Sequence, residues 1–152
     1  RQLGEAAKLY AKMIEEDATI CLTIAGAMTP VGFGGLFKTL IEKGFYNGLN
    51  FHRVLPNFVI QGGCPNKRGD GGPGYTIPCE VTAPLQYHDR GVLSMAHAGR
   101  NTGGSQFFIC HSRAGTAHLD RNHTCFGKVI EGIDVIDAIR PMDTINSISI
   151  ID

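Results

Sequence analysis

The chain has 152 residues, 14 basic and 14 acidic, and 43% of it is hydrophobic. That describes one ordinary globular domain, long enough to bury its own core without a disulfide scaffold. The charge balance excludes a general field for nucleic acid or anionic lipid, and no apolar run is long enough to span a membrane.

Glycine is the compositional outlier: 20 residues, roughly twice average usage, predict many tight turns. The five cysteines (Cys21, Cys64, Cys79, Cys110, Cys125) are scattered and never spaced as CxxC, so reduced thiols in a cytoplasmic protein are expected. The first residues hold no apolar signal-peptide stretch, and the chain starts at Arg1 rather than an initiator Met.

In chain order, residues 1–16 (RQLGEAAKLYAKMIEE) favour a helix with Leu3, Ala7, Tyr10, Met13 and Ile14 on one stripe. Ala18–Ile24 is β-branched and is expected to be the first strand, paired with Ile145–Ile151 or a neighbour of it. A Gly-rich passage then leads into a short helix, LFKTLIEKG, with Gly44 as its C-terminal cap. Leu49–Leu55 and Phe58–Gln61 follow as strands divided by Pro56-Asn57, and residues 62–74 form a Gly-rich loop. Further strands are expected at Val92–Ala96, Gln106–Cys110, Cys125–Ile130 and Ile145–Ile151, with a second short helix at Glu131–Ile139. Short strands at this spacing suggest a barrel or sandwich with a helix near each end.

Most chemistries lack their residues. GGCPNKRGDGGPG never gives GxxxxGK[ST], so its glycines predict turns rather than a phosphate cradle. The six histidines do not fall into a ligand set, so no metal is expected. Ser94, Ser105 and Ser112 lie outside any GxSxG elbow, and Cys110-His111 would point to opposite faces of a strand. Acids are sparse across residues 43–130, which argues against a carboxylate pair.

A different set stands out. Arg53 lies mid-strand in FHRVLPNF, sharing a face with Phe51 and Leu55 if the strand alternates; Val59 pairs in this way with Gln61, and Gln106 with Phe108. These residues could converge on one polar and apolar sheet surface, but spacing alone favours an arginine in a surface ion pair beside two solvated amides.

FHRVLPNFVIQGG, GPGYTIPCE, HDRGVLSMAHAGRNTGGSQFFIC and HLDRNHTCFGKVIEGIDVIDAI together resemble the cyclophilin family of peptidyl-prolyl isomerases from about Phe45 to Arg140, with weaker likeness at MTPVGF and the final strand. The resemblance implies a mainly β protein, a closed antiparallel eight-stranded barrel capped by two short α-helices, here with an altered N-terminal strand. Residues 1–16 would be a helical extension and 17–152 the barrel domain. It also implies that Arg53 is the catalytic arginine. Phe58, Val59, Phe108 and Leu119 would line the proline pocket, with His123 at its rim. Gln61 would hold Arg53 and touch the substrate backbone, His97 and Ala98 would lie along the peptide groove, and Gln106 would face the residue before proline.

Two departures touch the site. Val59 stands where methionine is common, which shortens the pocket floor. His118 stands where many members carry tryptophan, a position that contributes to cyclosporin binding, so weakened affinity for that drug is expected. The implied activity is rotation about X–Pro bonds in protein substrates during folding, by a monomer without cofactor. It fits the residue set, because rotation about an amide needs no acid, base or nucleophile. The rival from another class is a module that holds Pro-containing segments without turning them over. Retention of Arg53, Phe58, Gln61, Gln106 and Phe108 favours the enzyme.

Overall fold

Short β-branched and aromatic runs, cut by Gly- and Pro-rich turns, pair into one antiparallel sheet in the computed structural model, which describes residues 23–25 and 33–150. The strands are β1 (Thr23–Ala25), β2 (Arg53–Val54), β3 (Val59–Gly62), β4 (Val92–Met95), β5 (Phe107–Cys110) and β6 (Cys125–Glu131). Their order across the sheet is β1-β6-β4-β5-β3-β2. Helices are α1 (Phe33–Glu42), α2 (Arg113–Thr116), which runs into a 3-10 turn at Ala117–Leu119, and α3 (Val135–Ala138).

Both faces of the central strands are covered, which is why VLSM and FFIC are buried at every position. On one face Ile60, Leu93, Met95, Phe107, Ile109 and Phe126 pack against Phe37 and Leu40 of α1 and against Tyr46. Leu93 and Ile109 are opposed in register and fully buried, each stabilising the fold by about 1.5–3 kcal/mol. The opposite face carries a smaller cluster of Val59, Val92, Phe108, Cys110 and Cys125, with Phe58, Ala96 and Leu119 against it. Helix α1 ends as its sequence predicts. Gly44 adopts φ +65, and its own N–H and that of Phe45 reach back to the carbonyls of Ile41 and Leu40.

The expected closed eight-stranded barrel needs correction: among the described residues the sheet has six strands and is open, with β1 and β2 as unjoined edges. The C-terminal segment shows why. A strand over Ile145–Ile151 would place Ile145 and Ile148 on opposite faces, yet both pack into the same core, so the segment does not keep a strand's alternation. It contributes a single bridge, Thr144 to Asn50, instead of a closing ladder. The first strand, of which Thr23 and Ile24 are described, pairs with β6 rather than with this segment. Among the described residues the helices also number three rather than two, because Ser112 caps a short helical turn at Arg113–Thr116. The expected helix over 1–16, residues 18–22 of the expected strand and Ile151 lie outside the described residues.

Candidate active site

Antiparallel register brings the polar residues of the smaller-cluster face into a row. Arg53 lies opposite Gln61, and Gln61 opposite Phe108, which in turn lies opposite Ser94. The expected alternation through residue 51 does not hold, since Phe51 turns into the core while Arg53 is exposed. Strand β2 begins only at Arg53, so the two residues are not held to one face.

A continuous hydrogen-bond chain starts at the guanidinium. Arg53 Nη1 donates to Gln61 Oε1 at 3.2 Å, and Gln61 Nε2 donates to Gln106 Oε1 at 3.0 Å. Gln106 Nε2 carries the chain to the carbonyls of Gly69 and Gly71, at 2.9 and 2.8 Å. Each amide is therefore oriented by its neighbour, with its oxygen toward a donor and its nitrogen toward an acceptor. The guanidinium also sits 5.5 Å from the centre of the Phe58 ring.

Beside this chain lies a cavity of about 460 Å³. Phe58, Val59, Phe108 and Leu119 contribute to its apolar wall, Arg53, Gln61, His97, Ala98, Gln106 and His123 also line it, and residues of the 69–76 loop close one side. His118 does not line the cavity. It is exposed and stacks on the outer side of Phe58, with centroids 5.6 Å apart. The one carboxylate among the lining residues, Asp70, is paired with Arg68 at 3.1 Å.

The imidazoles at the rim are fixed. His97 and His123 stack at 3.9 Å, His97 Nε2–H donates to the Asn122 carbonyl, and His123 Nδ1–H donates to the Met95 carbonyl. Burial, helped by His97, His88 and His118, lowers the His123 pKa to about 4 against the opposing pull of the Met95 carbonyl. It is neutral at physiological pH, with Nε2 left as an acceptor.

Behind the wall is a feature that residue spacing did not reveal. His88 Nε2 lies 2.9 Å from Ser94 Oγ, and His88 Nδ1 lies 3.2 Å from Asp120 Oδ1. This has the order of a Ser-His-Asp triad, but Ser94 and His88 are fully buried and no substrate reaches the hydroxyl. Its ring stacks on Phe108 at 5.8 Å, so the group supports the pocket wall. Burial lowers the His88 pKa, and the Arg113 guanidinium holds Asp120 well below the usual carboxylate range.

Comparison with known proteins agrees with this geometry. A family model described as cyclophilin type peptidyl-prolyl cis-trans isomerase/CLD matches residues 13–150. The chain belongs to the cyclophilin family. A Helicobacter pylori peptidyl-prolyl cis-trans isomerase is 56% identical over 114 residues, covering 74% of this chain and 69% of the relative. Peptidyl-prolyl cis-trans isomerase B of Bacillus subtilis is 57% identical over 98 residues, 64% of this chain and 67% of its own. A crystal structure of a cyclophilin-type isomerase from Cryptosporidium parvum in the presence of the dipeptide Ala-Pro superposes with TM-score 0.71 at 31% identity, covering 82% of this chain and 85% of that one. This cyclophilin is therefore a peptidyl-prolyl cis-trans isomerase, and the rival reading as a passive holder of proline segments falls.

The carbonyls of Gly69 and Gly71 that anchor Gln106 were missed because backbone acceptors leave no mark in residue type. The loop's glycines are the one sequence signal there, and they predict turns rather than acceptors.

Proposed function

We propose that this isomerase turns X–Pro bonds in peptides and in flexible segments of protein clients, with Arg53 as the catalytic group. The proline ring is seated among Phe58, Val59, Phe108 and Leu119. The observation that carries this reading is the Arg53–Gln61–Gln106 chain, which aims a guanidinium along one side of an apolar cavity. Amide resonance sets a rotation barrier of roughly 18–20 kcal/mol. In the twisted transition state the prolyl nitrogen gains a lone pair that the planar ground state lacks, and a fixed donor there lowers the barrier selectively. Gln61 steadies that donor and touches the substrate backbone, while Gln106 faces the residue before proline. His97 and Ala98 border the peptide groove, and His123 closes the pocket at its rim.

No bond to a proton or carbon breaks, so the reaction calls for no cofactor. An Ala-Pro dipeptide accompanies the Cryptosporidium parvum relative, which supports a proline-containing ligand for this cavity. The described cysteines are free, which supports a reducing, cytoplasmic setting, and no described helix is long and apolar enough to cross a membrane. Cyclosporin binds with reduced affinity, because exposed His118 offers less apolar area than tryptophan.

Exchange NMR on a short Ala-Pro peptide tests the assignment. Wild type accelerates cis–trans exchange, Arg53→Ala loses most of the acceleration, and Phe108→Ala raises KM. Full activity in a folded Arg53→Ala protein overturns it.

A further inference from the structure

The hydrogen-bond chain from Arg53 does not end at the loop carbonyls. Gly69 and Gly71, whose C=O groups hold Gln106, turn their N–H groups the other way, onto one sulfur: Cys64 Sγ accepts from them at 3.2 and 3.3 Å. The same two residues therefore face the active-site amide on one side and the thiol on the other. Cys64 is fully buried at the start of the loop, and its own carbonyl accepts from Lys67 N–H, closing the first turn.

We propose that Cys64 is a positioning residue for catalysis, holding the 64–71 loop so that the Gly69 and Gly71 carbonyls orient Gln106, and through it Gln61 and Arg53. The proposal rests on the reading of Arg53 and its two glutamines given above. The loop has little else to fix it. Gly69 (φ +95) and Lys67 (φ +59) occupy left-handed backbone, and the Arg68–Asp70 pair is exposed. An exposed pair contributes about 0–1 kcal/mol. The sulfur is surrounded by donors, so it is best served by negative charge. Burial alone raises the thiol pKa, but the backbone N–H groups of Gly71, Arg68, Gly69 and Asn66 together outweigh it and bring the pKa below the ordinary value. A small anionic side chain should do the same work, whereas a methyl group leaves the donors unmatched.

The test is a substitution series in the full chain: Cys64→Ala, Cys64→Ser and Cys64→Asp, with Arg53→Ala as reference. Turnover of an Ala-Pro peptide is read beside the side-chain amide NMR signals of Gln61 and Gln106. Cys64→Ala is expected to lower kcat/KM about tenfold and to shift both amide pairs, with Cys64→Asp within about threefold of wild type and Cys64→Ser between them. Such a ranking, with the amides moving in step, separates positioning from a general loss of stability. Thermal melting identifies any variant that fails to fold; if Cys64→Ala does, Cys64→Ser against Cys64→Asp carries the comparison. Cys64→Ala with wild-type turnover and unmoved amides overturns the proposal, as does Cys64→Asp no better than Cys64→Ala. Full activity of Arg53→Ala instead overturns the reading of the site itself, so the two failures are distinguishable.

Discussion

Replacing Arg53 by alanine separates catalysis from stability unusually well. The side chain is exposed, it donates to Gln61 at 3.2 Å, and its guanidinium sits over Phe58 at 5.5 Å. Loss of such an exposed group costs stability of about 0.5–1 kcal/mol at most. The catalytic cost is larger. A charge-assisted hydrogen bond contributes about 1.5–3 kcal/mol, and about 1.4 kcal/mol is a factor of ten. Arg53→Ala therefore lowers kcat/KM by roughly 10- to 150-fold. The donor acts on a lone pair present only in the twisted amide, so kcat falls with kcat/KM while KM barely moves. Arg53→Lys recovers little, because a point charge on a flexible stem cannot reproduce the fork that meets Gln61. Protease-coupled or exchange-NMR turnover of an Ala-Pro peptide, beside a thermal melt, checks this. Turnover within about twofold of wild type at an unchanged melting temperature refutes it, and so does a loss confined to KM.

Three further outcomes follow from other parts of the site. His123 ionises at about 4 in the fold against 6.5 as a free side chain, so between those values only the unfolded chain binds the proton. Its contribution is complete above about pH 6.5 and is lost as pH falls toward 4; His88, also shifted down by burial, acts in the same direction. Thermal melts from pH 7 to 4 should show that fall, and His123→Gln should flatten part of it; an unchanged slope counts against the assignment. His118→Trp should tighten cyclosporin binding measured by calorimetry with little change in peptide turnover, since residue 118 stacks on Phe58 outside the cavity. A Cβ on Gly115 would collide with the Asn57 carbonyl in the turn that carries Phe58. Gly115→Ala should therefore cost about 1–3 kcal/mol of stability and raise KM, read by denaturant melts and peptide kinetics.

Much of the site was legible because strand alternation and a long specific motif both point to the same residues. Gln61 on β3 and Gln106 just before β5 are 45 positions apart, yet alternation sets each on a face with an apolar neighbour without any knowledge of the pairing. What escaped depends on contacts without a local signature. His88, Ser94 and Asp120 are separated by loops, so only the folded chain shows them meeting behind Phe108. The Ile and Ser alternation after Thr144 reads as a strand, but tertiary packing turns Ile145 and Ile148 to the same side. The resemblance ties position 118 to the binding face through cyclosporin, whereas the turn at Ala117–Leu119 directs Leu119 into the cavity and leaves His118 outside.

Arg53, the proposed catalytic group, lies on the edge strand β2 of an open sheet, which on its own would leave it poorly held. The backbone just before it argues otherwise. Phe51 N–H donates to Asp143 O, Met142 N–H to Phe51 O, and Gly48 and Leu49 exchange bonds with Ile145. The C-terminal segment thus satisfies the 48–51 backbone although it forms no ladder, and the buried Ile145 side chain anchors it. From Arg53 onward the strand is paired with β3, whose other neighbour is β5. The residues that aim the guanidinium therefore stand on strands paired on both sides or at the start of one, and the open edge at β1 lies across β6 and β4 from them. On the proposed reading, the geometry of turnover depends on three contacts at and behind the cavity wall: Arg53 to Gln61, Gln61 to Gln106, and Phe108 against His88.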